Sequence, residues 1–323
     1  MTTIRAAGID CGTNSVRLLI ADIDPETGRA QDVDRQLRIV RLGQGVDATG
    51  HLAPAALART FSAVRKYGAD CRRNGVEAIR MVATSATRDA DNATEFVAGV
   101  RAILGVDPEV VDGIEEAALA FAGALGTVCG TPPYLVVDVG GGSTELVLGA
   151  EAPLAAYSMN VGSVRITERH LRSAPPTRAQ VAAAAADVDS VLKEARAAVD
   201  FANTATLVGV AGTVTSVTAY TLGLTRYDPA QIHGAVLCVD AVQSACRALW
   251  SMSRAELMAL GFLEPGRVDV IGGGALVWSR VLHSVHDAVA AAGGSLTSVL
   301  TSEHDILDGV ALSAARRCVG LEG

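Results

Sequence analysis

Short apolar runs at residues 6–10, 16–22 and 38–42 open the chain and predict three strands in a meander. A helix-length segment of mixed polarity follows at 54–74, then a buried strand at 78–83, an amphipathic helix at 90–104, a short strand at 109–111 and an alanine-rich helix at 115–125. Three strands followed by strand–helix alternation predict a mixed sheet with helices packed on it. The second half repeats the order, with strands at 134–138, 145–148 and 155–160, a long helix at 178–201, a strand at 206–210 and a helix at 212–222. Pro132 and Pro133 precede the second meander and mark the boundary region. Beyond these, 266–286 reads as a helix interrupted at Gly272, Gly273 and Gly274, 297–300 as a final strand, and 305–317 as a terminal helix able to pack back on the first half.

The repetition extends to individual residues. Asp10 opens DCGTNSVRLLI and Asp138 opens DVGGGSTELVL, so that Asp, Gly, Ser and the following apolar run align position for position. Each copy sets an Asp at the end of an apolar strand, then a turn of small residues, then a second strand. Glycines let such a turn approach an anion closely and direct its N–H groups at phosphate oxygens. Glu145 falls where the first copy has Arg17, which suggests that the first loop favours an anion and the second a metal.

Composition narrows the class. With 323 residues, half of them hydrophobic, the chain has room for two domains with their own cores. No run approaches the roughly 18 apolar residues of a membrane span, and the chain enters its first strand without a basic and apolar leader, so a soluble, unprocessed protein is expected. Six cysteines without C-x-x-C pairing indicate neither a disulfide framework nor a zinc site, which fits a reducing cytoplasm. A net charge of −8 argues against nucleic acid or an anionic membrane as partner, because both need a basic surface. Lys66 and Lys193 are the only lysines and neither lies in a Walker context, which excludes an ordinary P-loop.

The candidate chemistry gathers in a few places. Glu115 and Glu116 open a helix, where carboxylates also serve as plain first-turn acids favourable to the helix dipole. Their helix would lead from the first domain toward a cleft shared with the second, where one of them can act as a general base for water. Asp10, Asp138 and Glu145 can simply cap turns, yet beside paired glycine loops they read as an outer-sphere grip on Mg²⁺, which needs only one or two carboxylates besides water and phosphate oxygens. The run Thr84-Ser85-Ala86-Thr87-Arg88 follows the strand at 78–83, and Gly209-Val210-Ala211-Gly212-Thr213 repeats the arrangement later. Strand-to-helix turns of this type collect anions, although the second run is equally consistent with close strand–helix packing. His283 and His286 lack a third ligand nearby in sequence, Cys11 reads as a small buried strand-end residue, and the glycine triplet at 272–274 reads as close helix packing near Trp278.

With these residues in place, the sequence resembles the exopolyphosphatase/guanosine pentaphosphate phosphohydrolase (Ppx/GppA) family of the actin-like ATPase superfamily. DCGTNSVRLLIAD at Asp10, ATSATRDADN at Ala83, GIEEA at Gly113, DVGGGSTEL at Asp138, NVGSVRITE at Asn160, GVAGTVTS at Gly209 and EPGRVDVIGGGALV at Glu264 run in family order through most of the chain. The resemblance implies an α/β fold of two ribonuclease-H-like domains around an interdomain cleft: residues 1–126, with a helix at 303–319 returning to them, and residues 127–302. It implies Glu116 as catalytic base, with Glu115 the lesser candidate. Thr13, Asn14, Ser15, Arg88, Gly140, Gly141, Gly142, Ser143 and Thr144 are then the phosphate-binding residues, and Asp138, Glu145 and Asp10 the Mg²⁺-linked acids. Ala118 stands where some members carry an Arg two residues after the base, so one substrate contact differs.

The activity implied is Mg²⁺-dependent hydrolysis of the terminal phosphoanhydride of inorganic polyphosphate, releasing orthophosphate. Longer members add helical domains that extend a basic channel, so this short form is expected to act on shorter chains. Removal of the 5′-terminal phosphate of guanosine pentaphosphate uses the same chemistry, and a sensor binding polyphosphate or guanosine tetraphosphate without turnover is an alternative of another class. A kinase is disfavoured because no sugar-site pattern is present. A homodimer is a further expectation from the family.

Overall fold

The computed structural model describes residues 3–126 and 128–321, which divide into two compact units: residues 1–126 with 305–323, and residues 127–304. In the first unit the chain runs β1 (Ile4–Cys11), β2 (Ser15–Ile23), β3 (Ala30–Ile39), α1 (Val46–Thr49), α2 (Pro54–Arg73), β4 (Ala78–Ala83), α3 (Ser85–Arg88), α4 (Ala93–Leu104), β5 (Glu109–Val110) and α5 (Gly113–Leu125). The second unit comprises β6 (Tyr134–Val139), β7 (Thr144–Gly149), β8 (Pro153–Met159), α6 (Ser163–His170), α7 (Arg178–Ala198), β9 (Thr206–Val210), α8 (Ala211–Thr221), α9 (Pro229–Ile232), β10 (Val236–Cys238), α10 (Val239–Ser251), α11 (Arg254–Met258), α12 (Ile271–Ala291) and β11 (Ser298–Thr301). The chain then returns to the first unit as α13 (Ile306–Cys318).

Both sheets follow one plan, an antiparallel meander joined through its first strand to parallel strands. The first has the order β3-β2-β1-β4-β5 and the second β10-β11-β9-β6-β7-β8. β1 pairs antiparallel with β2 and parallel with β4, just as β6 pairs antiparallel with β7 and parallel with β9. This is the ribonuclease-H-like arrangement, present twice.

Apolar residues on both faces explain why the central strands are covered on both sides. In the first unit, Ile9, Leu18 and Ile20 pack against Val64, Tyr67, Phe96 and Val100 of α2 and α4. On the other face, Ala6, Leu19 and Ala21 meet Leu307, Ala311 and Ala314 of α13. Gly8 makes that approach possible, since a Cβ there would lie 2.7 Å from the Ala311 nitrogen. In the second unit, Trp278 and its neighbours on α12 fill the core beneath β6 and β9.

Two elements differ from expectation. The third strand lies at Ala30–Ile39, not at 38–42: it is an edge strand, largely polar and exposed, so its sequence lacks the apolar signature. Val40 and Leu42 are buried in the loop that follows, where Arg41 adopts a left-handed φ of 51° and the amides of Val40 and Arg41 bond to the carbonyl of Asn14. The glycine triplet does not interrupt a helix; α12 runs through it, preceded by a short 3₁₀ turn at Pro265–Arg267. Gly273 packs on Ser163 and Thr167 and Gly274 on Thr213 and Ser163, the close helix packing expected of them.

Candidate active site

Strands β1, β4 and β5 run parallel, with Cys11 beside Ala83 and Ala83 beside Val110, so their carboxyl ends form one edge. Open α/β sheets present their functional groups at such edges. The amide of Thr84 bonds to Cys11 O and that of Val111 to Ala83 O, locking the three exits together. Thr13 follows β1, Arg88 ends α3, and Glu116 lies in the first turn of α5.

Arg88 and Glu116 meet here. Arg88 Nη1 lies 3.1 Å from Glu116 Oε2 and donates to Val111 O at 2.9 Å. Glu116 is only 8 % exposed, so its carboxylate is held in a sheltered position facing a guanidinium. Its neighbour Glu115 has another fate: it points to Arg80 of β4, and its side chain is 44 % exposed. Asp112 caps the helix, accepting from the amides of Ile114 and Glu115 at 2.9 Å each.

Thr13 is buried with its hydroxyl 2.9 Å from Ser85 Oγ, and Gly43 leaves room for its methyl group, since a Cβ on Gly43 would lie 2.3 Å from Thr13 Cγ2. Asn14 contributes its carbonyl to the following loop, and Ser15 begins β2 with its carbonyl accepting from Gly12 N at 3.0 Å. The loop thus brings Thr13 to Ser85 at the start of the helix that carries Arg88.

Asp10 is not a turn cap. It sits opposite Arg17 in the β1–β2 ladder and accepts from Arg17 Nε at 3.0 Å and Nη2 at 2.7 Å, both on Oδ2. Arg17 Nη1 reaches Asp305 Oδ2, so the guanidinium is shared by two carboxylates. This corrects the reading of Arg17 as the cation of an anion-favouring loop: its charge is already neutralised by Asp10 and Asp305. The Oδ1 atom of Asp10 is buried without a hydrogen-bond partner. Burial pushes the Asp10 carboxyl above the ordinary carboxylate range although Arg17 pulls the other way. Cys11 is wholly buried and burial raises its thiol pKa, as suits a packing residue rather than a nucleophile.

The second unit places two carboxylates where the first has a carboxylate and a guanidinium. Asp138 and Glu145 are direct partners across β6 and β7, and both are buried. Ser158 Oγ donates to Glu145 Oε1 at 2.7 Å. Between these strands lies the loop of Gly140, Gly141, Gly142 and Ser143, with Thr144 fixed by its hydroxyl on Val161 O at 2.7 Å.

The orientation of this loop is set by α6, an element that was not among the helices expected from the sequence. Ser163 N bonds to Gly140 O, Val164 N and Arg165 N bond to Gly141 O, and Arg165 Nε donates to Gly142 O at 2.8 Å. In a trans peptide the N–H points opposite the carbonyl, and none of these peptides is cis. Three consecutive amides, those of Gly141, Gly142 and Ser143, are therefore directed away from α6, the array a phosphate requires. Gly162 permits the contact, because a Cβ there would lie 2.5 Å from Gly141 O. Arg165 was not among the residues singled out in sequence; only its place in NVGSVRITE hinted at a role.

Gly212 is explained by packing. The Arg267 guanidinium lies over it, and a Cβ would fall 1.2 Å from Nη1, while Gly209 accommodates Val214 and Trp278. Ala211 between them takes a left-handed φ of 68° at the β9–α8 turn. His283 and His286 are exposed on α12 and pair with Asp287.

Comparison with known proteins identifies the family. The model of the Ppx/GppA phosphatase family matches residues 19–306. The chain belongs to that family. It is 44 % identical to exopolyphosphatase 2 of Mycobacterium tuberculosis, over 98 % of this chain and all of that protein. A crystal structure of an exopolyphosphatase-like protein, 46 % identical, matches with a TM-score of 0.95 over 99 % of this chain and all of the other. The Aquifex aeolicus member of the Ppx/GppA family, 28 % identical, gives 0.76 over 96 % of this chain and 97 % of its own. Among the described residues no helix is long and apolar enough to cross a membrane.

Proposed function

We propose that the chain is an exopolyphosphatase that hydrolyses the terminal phosphoanhydride of inorganic polyphosphate and releases orthophosphate. The observation that carries the reading is the sheltered Glu116 carboxylate paired with Arg88. A base and an anion-binding cation held together are what water attack on a phosphoryl group needs. The relative named exopolyphosphatase 2 supports polyphosphate as the substrate.

In this reading Glu116 orients a water molecule and takes its proton as the new P–O bond forms. The bridging P–O bond breaks, and the shortened chain leaves with the electron pair. Arg88 turns to the phosphoryl oxygens and offsets their charge. Within the first unit the hydroxyl of Thr13 with Asn14 and Ser15 is a phosphate-binding group, and within the second the amides of Gly141, Gly142 and Ser143 beside Gly140 and Thr144 are another. Such preorganised donors supply electrostatic stabilisation without reorganisation at the moment of reaction.

A divalent cation fits the donor set. Asp138 and Glu145 are buried carboxylates placed directly opposite each other in the second unit. Like charges across a ladder are unfavourable, so a cation relieves them. Mg²⁺ keeps several waters and needs only one or two carboxylates, which Asp138 and Glu145 would supply. When bound, Mg²⁺ would neutralise charge on the phosphate oxygens.

Orthophosphate release from tripolyphosphate, longer polyphosphates, guanosine pentaphosphate and ATP, compared with and without Mg²⁺, tests the substrate. Fastest release from polyphosphate, dependent on Mg²⁺, is expected. Preference for guanosine pentaphosphate would reassign the protein to nucleotide 5′-phosphate removal. Background rates on all of them would make it a binding protein.

A further inference from the structure

The two adjacent glutamates of α5 have separate anchors, and the anchor of the one that is not the base is unusually rigid. Arg80 projects from β4 and is 5 % exposed. Its Nη2 donates to Glu109 Oε2 at 2.8 Å and its Nη1 to Ser313 Oγ at 2.8 Å, which ties it to β5 and α13 whether or not Glu115 is present. Arg317 bonds the same Glu109 at 2.8 Å, so the Arg80 guanidinium stands in a chain of alternating charge. Glu115 Oε1 accepts from Arg80 Nη2.

The first turn of α5 has little else to fix it on that side. Gly113 has no side chain and Ile114 is 55 % exposed, whereas from Ala117 onward α5 is largely buried, with Leu119 and Ala120 clustered on Ile306 and Val310 of α13, so apolar packing fixes the body of the helix and leaves its first residues to polar contacts. Successive helix residues are about 100° apart, which lets Glu115 face Arg80 while Glu116 faces Arg88. The turn is thus held by Asp112 at the cap, by Arg80 on one flank and by Arg88 on the other.

We infer that Arg80 and Glu115 form a positioning tether that fixes the rotation of the first turn of α5 and so aims Glu116 at the water it activates. This rests on the reading of Glu116 as the base. The tether acts through geometry, not contact with substrate: an ion pair with a half-exposed partner adds little stability, whereas a small misplacement of a base is costly in rate.

The experiment is steady-state orthophosphate release from tripolyphosphate by Glu115→Gln, Arg80→Met, Arg80→Lys, the Glu115→Gln/Arg80→Met double variant and Glu116→Gln, with melting temperatures measured alongside. Glu115→Gln should lower kcat about tenfold with KM within about twofold and an almost unchanged melting temperature. In the Arg80→Met background the same change should cost less than about twofold, because the interaction is already gone. Arg80→Lys should recover part of the kcat that Arg80→Met loses. Wild-type kcat in Glu115→Gln, an equal loss in both backgrounds, or a KM that rises in step with the fall in kcat would overturn the tether. If Glu116→Gln is inactive while Glu115→Gln is unimpaired, the tether alone fails; if Glu116→Gln turns over normally, the base assignment fails and the tether with it.

Discussion

Asp138 and Glu145 occupy the positions across a hairpin that Asp10 and Arg17 occupy in the other unit. One exchanged residue converts an internally neutral pair into a pair of carboxylates. The repeat made both aspartates legible in sequence, and the Arg-to-Glu exchange was legible too. The neutralisation of Arg17 was not, because its second partner, Asp305, lies 288 residues away. The same holds for Arg80, whose partners come from β5, α5 and α13. Glu145→Gln should weaken Mg²⁺ binding without disturbing the phosphate loop. Mg²⁺ titrated into the wild type should raise its melting temperature, since a ligand that binds the folded state stabilises it, and Glu145→Gln should need at least about tenfold more for the same shift. Equal titration curves would remove Glu145 from the metal site.

Among the elements, α6 shows why a structure adds to a motif. The glycines of the second loop announce a close approach to an anion, but they do not say which way the amides face. That is decided by the amides of Ser163, Val164 and Arg165, which hold the loop carbonyls from behind. Gly162→Ala should separate α6 from the loop, because the added methyl meets Gly141 backbone at 2.5–2.6 Å. KM for tripolyphosphate should rise by about tenfold or more in kinetic assays, as three donors lose their alignment together. An unchanged KM would mean that the loop holds its conformation without α6. Elements with strong local signals were legible: the apolar runs of β4 and β9 fall where expected, bounded by turn residues. β3 was misplaced because an exposed edge strand has no apolar pattern, whereas α6 and α10 were passed over although their apolar residues recur at helical spacing, as Val239, Val242, Cys246 and Leu249 do in α10.

At the scale of the whole molecule, duplication is the organising fact. Two sheets of one plan end in two loops of one pattern, and they differ in what they carry: Glu116, Arg88 and the Thr13 and Ser85 hydroxyls in the first unit, the α6-anchored glycine loop and the Asp138–Glu145 pair in the second. The repeat marked the two loops, and the family resemblance supplied the ribonuclease-H-like fold and the preference for Glu116 over Glu115. The structure adds that Glu115 faces Arg80 and Glu116 faces Arg88. A net charge of −8 leaves attraction of a polyanion to these local groups and not to the surface at large. The most direct test of the account is orthophosphate release from tripolyphosphate by Glu116→Gln, measured beside its binding of the same compound. Release at background level with binding retained is predicted, and turnover near that of the wild type would contradict it.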